Sequence, residues 1–524
     1  MIKDFKYGDD ARKALLDGME KVYKIVSKTY GAKGRCCLYT VGQAMSAITK
    51  DGVNSAMQIF LEDPFEERGC FHMKESMAKT QNVSGDGSTL TCILTYQIFK
   101  EALKYITSGS NPIQVKKGIE YAVKHVSASI KTYSIPVDGE NIRNVANIAL
   151  NGDMEIAGLI FDAVNKVGKD GVIACRESRE DHSTLEIIPG MSYKTGYQSV
   201  YFANHGNKWI ANDAYVFCYE GTIHSLAEIK TACELILTVG KPLLIIAHEI
   251  YIDVLKDLLT NKQKSGFNVC SIITPGLGNR AKDNILCDIA SVTNATVFGE
   301  YLADSNKITM EHFGKAKSII VKDYETIIID GAGSEEAVKE RVEVIESEIE
   351  EEPDEKIKER LQKRKAKLTS GVAVIHVGDV TQTALNEKKD RVDDALQSVQ
   401  AALQEGIVPG GGVALLENTS VDLLDVYRSH DFMCGVDIVI KSLKTPIRQI
   451  LDNAGLENLD GIIADIEDKS NNMGYDVNTD KIVDMIGVGI IDPAKVITTA
   501  LQNAGSITST LLLTESIIVN KEKK

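Results

Sequence analysis

The sequence predicts a multidomain chain that is helical at both ends and α/β in its middle. Three observations carry this. Apolar residues recur at helical spacing in the first and last parts, and short β-branched runs alternate with helical stretches between them. The length of 524 residues also exceeds what a single hydrophobic core usually organises.

From the N-terminal end, Ala11, Leu15, Met19, Val22 and Val26 share one helical face between Asp9 and Thr29, and Gly31 follows as a stop. Helical patterns return at Asp63–Lys79, Ser88–Ser108 and Pro112–Tyr133. The middle carries β-branched runs at Gly171–Ala174, Tyr215–Tyr219, Pro242–Ala247, Val269–Ile273 and Ser318–Lys322. Helical segments lie between them at Ser225–Val239 and Ile250–Lys264. From Ser334 to Leu368 the chain is charged and helical. Pro353–Asp354 marks either the turn between two antiparallel helices or a kink in one. After Gly371 helices resume at Leu385–Glu405, Val413–Leu424, Gly435–Asn453 and Pro493–Leu512. Helices at both ends around an α/β insert imply a discontinuous architecture, with one base domain built from the two termini.

Composition bounds the function. Hydrophobic residues make up 44% and charged residues 25%, ordinary for a globular protein with ample core. A formal net charge of −15, with no basic block, argues against a nucleic-acid partner. The dense charge run Glu335–Lys367 mixes both signs and reads as solvated helix. Ten cysteines are scattered without CxxC spacing and nine histidines without ligand spacing, which points to buried free thiols and away from a zinc site or disulfide framework. The N-terminus shows no signal-peptide h-region, and no apolar stretch reaches spanning length. A cytoplasmic location, or an organellar matrix after transit-peptide removal, is expected, with no membrane partner.

Chemistry concentrates in glycine loops and aspartates. Gly85-Asp86-Gly87-Ser88-Thr89 stands directly before a helical run. Its glycines let backbone N–H groups approach an anion, the helix terminus adds positive potential, and Asp86 and the hydroxyls suit Mg²⁺ and phosphate. A plain capping turn is the competing reading, and the loop is not a Walker A motif. Gly31-Ala32-Lys33-Gly34-Arg35 and Pro409-Gly410-Gly411-Gly412 are further glycine loops; the second reads as close ligand approach or as a hinge. Asp51 and Asp394 complete the set, because phosphoanhydride hydrolysis needs carboxylates to orient water and hold metal.

In combination these motifs are specific. TYGAKGR (Thr29–Arg35), TKDG (Thr49–Gly52), GDGST (Gly85–Thr89), RVDDAL…EGIVPGGGVAL (Arg391–Leu415) and GIIDPAKV (Gly489–Val496) occur in this order. The chain resembles the group I chaperonins, the GroEL family. The likeness extends through KVGKDGVI (Lys166–Ile173), GKPLLIIA (Gly240–Ala247) and SGVAVIHVG (Ser370–Gly378). It implies a GroEL-like fold with an all-helical equatorial ATP-binding domain (1–132 and 405–524), a small intermediate domain (133–189 and 372–404) and an α/β apical client-binding domain (190–371), with hinges at Gly190 and Gly371.

The resemblance also implies roles. Thr29, Tyr30, Gly31, Ala32 and Lys50 would surround the phosphates and a K⁺ ion. Asp86 would hold Mg²⁺, and Gly87, Ser88 and Thr89 would cradle phosphate. Gly410, Gly411, Asp476, Val477, Asn478, Ile490 and Asp492 would line the ribose and adenine side. Asp51 and Asp394 would position the attacking water, Asp394 arriving when the intermediate domain swings down. Tyr197, Ser199, Tyr201, Phe202, Leu255 and Leu259 would form the client-binding face, although Leu255 and Leu259 at i, i+4 also fit a packed core stripe. Expected partners are non-native client proteins and further copies of the chain, in one or two seven-membered rings. The segments Arg35–Tyr39 and Ser516–Val519 are read as strand edges for pairing between neighbouring subunits.

Departures from the family pattern are visible. Ala32 replaces a Pro, Leu90 replaces a hydroxyl residue, and Asp476-Val477-Asn478 stands where Asn-Ala-Ala is common. Lys230, Cys233 and Thr260 replace apical Leu or Val, so a more polar client face and altered or absent co-chaperonin binding are expected. The activity implied is an ATPase that drives protein folding in a ring cavity. The alternative is a degenerate chaperonin paralogue acting as a scaffold with little turnover. A metabolic kinase lacks any acceptor-specific motif.

Overall fold

A computed structural model describes residues 3–41, 45–150, 152–168, 171–178, 180–188, 190–276, 278–299, 308–369, 371–419, 429–469 and 471–520. The chain divides into two compact units, Met1–Phe161 with Asn386–Lys524, and Asp162–Leu385. Both boundaries fall inside the segments expected to form an intermediate domain.

The first unit is assembled from both ends of the chain. Helices Gly8–Val26, Glu66–Ser84, Ser88–Thr107, Pro112–Tyr133, His430–Ser442 and Ala494–Leu511 pack around one core. Helix Ser88–Thr107 is buried at nearly every position from Ser88 to Phe99 because that half runs through the middle of this bundle. Asn111 caps Pro112–Tyr133 by accepting from Ile113 N–H at 2.9 Å, with Pro112 in the first turn. This helix crosses His430–Ser442 so closely that a Cβ on Gly118 would lie 2.0 Å from Phe432 O, and one on Gly435 2.1 Å from Val115 O.

Helix Glu66–Ser84 begins three residues later than its apolar pattern, because Asp63 stands ahead of it as a turn residue and accepts from Phe65 N–H at 2.7 Å. The stretch read as one helix, Gly435–Asn453, is two, His430–Ser442 and Thr445–Asn453. Pro446 cannot supply the N–H that continuity requires, so the helix restarts there. The helix expected at Val413–Leu424 runs from Val413 to Leu416, and residues 420–424 lie outside the described residues. Lys3–Tyr7 pairs antiparallel with Ser516–Asn520, and Cys37–Val41 with Met45–Thr49, so both anticipated edge segments find a partner within the chain.

The second unit holds a seven-stranded mixed sheet. Trp209–Ile223, Leu243–Ile250 and Val269–Ile273 run parallel, connected by helices Leu226–Val239 and Ile252–Ser265. Gly314–Val321, Thr326–Gly331 and Gly190–Tyr193 extend it antiparallel, and Val297–Gly299 pairs parallel with Trp209–Ile223 as the seventh strand. The parallel strand Leu243–Ile250 is buried at seven of its eight positions, which explains its continuous apolar sequence. Glu335–Glu351 and Glu355–Thr369 are two helices packed on each other, which decides between a helical pair and a single kinked helix. Arg341 (Nε, 2.7 Å) and Arg364 (Nη2, 3.0 Å) both donate to the fully buried Asp288 of helix Asn279–Thr293, anchoring the pair.

A small sheet joins Val172–Glu177, Val372–Val377 and Thr184–Ile188. Gly190 and Gly371 lie where the chain passes between the two sheets. Gly371 takes φ +67°, and a Cβ on it would lie 2.9 Å from Ile188 O. Gly190 is a strand residue paired with Ile329.

Candidate nucleotide site

The Gly85–Thr89 loop joins two helices of the first unit. Gly85 (φ +75°) ends helix Glu66–Ser84 and Gly87 (φ +87°) begins helix Ser88–Thr107, whose first turn has no side-chain cap. Its N–H donors are therefore available to an anion. Residues that the sequence reading did not single out brace the loop. Ser84 Oγ donates to Asp86 O at 2.9 Å and Thr91 Oγ1 to Gly87 O at 3.0 Å. Asn503 Nδ2 donates to Thr80 Oγ1 at 3.0 Å, and Thr80 in turn meets Thr91 at 2.8 Å.

Asp51 caps the short helix Gly52–Met57, accepting from Val53 and Asn54 N–H at 3.2 and 2.8 Å. A Cβ on Gly52 would sit 2.2 Å from Thr89 Oγ1, so the two loops touch only because that residue is glycine. Asp394, on helix Gln382–Glu405, accepts from Gln81 Nε2 at 2.9 Å, and the same amide donates to Gly85 O at 2.8 Å. Gln81 thus ties the aspartate to the glycine loop.

The glycine loop after Pro409 lies beside the Ile490–Asp492 segment. Strands Ile407–Pro409 and Ile491–Pro493 pair antiparallel, with Val408 opposite Asp492, and Gly410 N–H donates to Ile490 O at 2.9 Å. A Cβ on Gly411 (φ +66°) would lie 2.7 Å from Met485 Cε. Asp476 caps the hairpin turn, accepting from Asn478 N–H at 2.9 Å and Thr479 Oγ1 at 2.7 Å. Val477 is buried in the cluster that also holds Met485 and Val413, and Asn478 is exposed.

The first glycine loop is held from the opposite end of the chain. Asn453 Nδ2 donates to Ser27 O and Tyr30 O at 2.8 and 2.9 Å, and Gln449 holds Asn453 in turn. Thr29 is buried with its hydroxyl on Val26 O, Tyr30 is half-buried, Gly31 has φ +83°, and Ala32 is exposed.

Electrostatics show that these segments converge. Burial raises the Asp86 carboxyl above its usual range, and the charge of Asp51 raises it further, with Gly87 N–H opposing. Asp86 also stays accessible to solvent. Asp394 is raised well above the ordinary range by burial, then by Asp51 and Asp86. Burial also raises Asp51, with its capping N–H groups opposing. Burial and then Asp86 push Asp492 up to about 7. Tyr30 is raised by burial, then by Asp492 and Asp86. The half-buried Lys50 is lowered by burial first. Aspartates from four separate segments therefore lie within electrostatic reach of one another.

Among the described residues no three His, Cys, Asp or Glu side chains form a ready-made metal site. One or two accessible carboxylates beside free N–H donors fit Mg²⁺ carried in with a phosphate, because that ion keeps phosphate and water ligands.

The six residues assigned to client binding lie in the second unit and divide. Tyr201 is 72% exposed, and Tyr197, Ser199, Leu255 and Leu259 are half-buried. Phe202 is 0% exposed and belongs to the core, which removes it from any exposed face. The short 3₁₀ turn Val200–Phe202 presents its first two side chains outward and its third inward. Lys230 is exposed, 3.7 Å from Glu234, Cys233 is buried, and the exposed Thr260 returns its hydroxyl to Lys256 O. All ten cysteines are free, and no described helix is long and apolar enough to cross a membrane.

Comparison with known proteins bears on the fold and the family. The chain matches two crystal forms of the chaperonin gp146 from the bacteriophage EL 2 (Pseudomonas aeruginosa), both determined in the presence of ATP-BeFx. The TM-scores are 0.70 and 0.63, at 21% identity, over 99% of each chain. The sequence profile of the TCP-1/cpn60 chaperonins covers residues 22–522, and the chain belongs to the TCP-1/cpn60 chaperonin family.

Proposed function

We propose that this chain is an ATP-driven chaperonin that captures non-native proteins and promotes their folding inside a ring of identical subunits. The observation that carries the reading is the convergence of Asp51, Asp86, Asp394 and Asp492 on an uncapped helix terminus flanked by glycine loops. That the related phage chaperonin was crystallised with ATP-BeFx supports a nucleotide as the ligand.

In this reading, Gly87, Ser88 and Thr89 take the phosphates, with Thr29, Tyr30, Gly31, Ala32 and Lys50 along the other side and beside a K⁺ ion. Gly410, Gly411, Ile490 and Asp492 take the sugar and base with the Asp476–Asn478 hairpin. Asp86 holds Mg²⁺, which when bound neutralises phosphate charge. Asp394 and Asp51 orient the attacking water, and the raised proton affinity of Asp394 suits a carboxylate that accepts its proton. Movement near Gly190 and Gly371 couples hydrolysis to the capture face, which comprises Tyr197, Ser199, Tyr201, Leu255 and Leu259. The domain limits anticipated in the sequence, assembly in one or two seven-membered rings and a soluble, reducing compartment complete the proposal.

Purified protein should hydrolyse ATP only with Mg²⁺ and suppress aggregation of a denatured model substrate. Electron microscopy should show rings. Suppression without any turnover would favour the scaffold alternative.

A further inference from the structure

One side-chain amide touches two parts of the nucleotide site that come from distant stretches of the chain. Gln81 stands in the last turn of helix Glu66–Ser84, four residues before Gly85. Its Nε2 carries two protons, and each has an acceptor: Gly85 O at 2.8 Å and Asp394 Oδ1 at 2.9 Å. The main-chain carbonyl of Gln81 also accepts from Gly85 N–H at 2.8 Å. A single residue therefore holds Gly85 through both its N–H and its carbonyl. A helix end needs only the first of these bonds. The second fixes the plane of the peptide that leads into Asp86.

Helix Gln382–Glu405 comes down on the same spot. Gln397, one turn beyond Asp394, lies so close that a Cβ on Gly85 would be 2.0 Å from Gln397 Cβ, and only glycine permits the approach. The turn that carries Gln81 is secured by other bonds. Thr80 is fully buried, and its Oγ1 meets Ser76 O at 3.1 Å, Thr91 Oγ1 at 2.8 Å and Asn503 Nδ2 at 3.0 Å. Ser84 Oγ donates to Thr80 O at 2.8 Å. With the helix end fixed in this way, what the Gln81 amide adds is a set distance between the glycine loop and the carboxylate.

We propose that Gln81 is a positioning residue for hydrolysis, registering the water-orienting carboxylate of Asp394 against the phosphate-binding loop. The role rests on the reading of this chain as an ATPase in which Asp394 acts on water. Donation to Oδ1 fixes the rotation of the carboxyl group and leaves Oδ2 to serve the water. Donation to Gly85 O ties the loop to the same amide, so loop and carboxylate keep their register when helix Gln382–Glu405 is in place. A reacting group held in this way keeps its alignment, which is where much of the rate of a positioned reaction comes from.

Single-turnover hydrolysis of Mg·ATP by the full chain, beside calorimetric binding of a non-hydrolysable analogue, tests it. Gln81→Met keeps the length of the side chain and removes both of its bonds. The hydrolysis rate should fall by up to about 100-fold, as when a reacting group is misplaced by about 1 Å, while the analogue binds as it does to wild type. Gln81→Glu should lose more, because it sets a carboxylate against Asp394 and Gly85 O; it carries the same comparison if Gln81→Met does not fold. In the Asp394→Asn protein, Gln81→Met should leave the residual rate nearly unchanged, since the group it positions is already gone. Loss by the same factor in both backgrounds marks a general brace and overturns the proposal. So does a wild-type rate in Gln81→Met, or a loss carried entirely by weaker binding of the analogue. Wild type without turnover overturns the ATPase reading and this role together, whereas the other adverse results overturn this role alone.

Discussion

Asp394→Asn is the most informative substitution in the nucleotide site. It keeps the shape of the side chain and an oxygen for Gln81 Nε2, which now donates at 2.9 Å. A charge-assisted hydrogen bond becomes a neutral one, at a cost of about 1 kcal/mol. Against this, a carboxylate that burial, Asp51 and Asp86 all push toward protonation is gone. Stability should therefore change little or rise. Asp394→Ala instead leaves the Gln81 amide short of an acceptor, a loss of roughly 1–3 kcal/mol. Turnover is another matter. Removing a positioned acid–base group costs about 10²- to 10⁴-fold, or about 3 to 5 kcal/mol in the barrier. Phosphate release under saturating Mg·ATP, with calorimetric binding of a non-hydrolysable analogue, separates chemistry from affinity. Both variants should lose turnover alike and bind the analogue as tightly as wild type or tighter. Turnover at the wild-type rate in Asp394→Asn refutes the assignment, and turnover lost only in Asp394→Ala would reduce the residue to a structural brace.

Asp86→Ala should weaken binding of Mg·ATP markedly while leaving the thermal midpoint of the nucleotide-free protein unchanged or higher, because it removes a carboxylate whose ionised form burial and Asp51 disfavour; unchanged affinity in a titration contradicts a metal role. In the nucleotide- and metal-free protein, Asp492 is pushed up to about 7 from an ordinary 3.8. Its ionised form is disfavoured by folding, so stability should fall as pH rises from about 4 to 7 and then level off; thermal midpoints of wild type and Asp492→Asn should converge in slope if another group is responsible. Tyr201→Ser should reduce capture of a denatured substrate with little loss of stability, whereas Phe202→Ala should cost about 3–5 kcal/mol in a denaturant titration because it empties a core site. Lys230→Leu with Thr260→Val should strengthen capture; equal capture by wild type and double mutant means that the exposed Lys230 already keeps its ammonium wet and lays its stem on the apolar face.

Local signals account for the parts of the fold that the sequence makes legible. The limits of Pro112–Tyr133 follow from an Asn-Pro start, and Val269–Ile273 from a β-branched run between polar turns. The partner of Ser516–Asn520 is not a local property, since the strand it meets lies more than 500 residues away, with Lys3 bonded to Asn520 at |i−j| = 517. The division at Leu443–Lys444 was available in Pro446 but was outweighed by uninterrupted apolar spacing. Phe202 illustrates a different limit. Matching positions in a family carries residue type, while a three-residue turn decides facing, and here the turn points the third ring inward.

The same distinction runs through the nucleotide site. Its aspartates and glycines stand out in sequence because close approach and charge restrict residue choice. The residues that hold them in place, Gln81 for Asp394 and Asn453 for the Ser27–Tyr30 turn, are ordinary amides on helices. They act across 313 and up to 426 positions, which no spacing argument can reach. What they hold together is a group of aspartates in which Asp51 and Asp86 raise the proton affinity of their neighbours. Such a group is least stable when nothing positive is near it, and any cation brought in with phosphate relieves it. On that argument, Mg·ATP should raise the thermal midpoint of wild type by more than ATP with EDTA does. The excess should shrink in Asp86→Ala but persist in Asp394→Asn, whose lost charge is one of several. An equal rise with and without Mg²⁺ would mean that the aspartates repel one another without serving a cation.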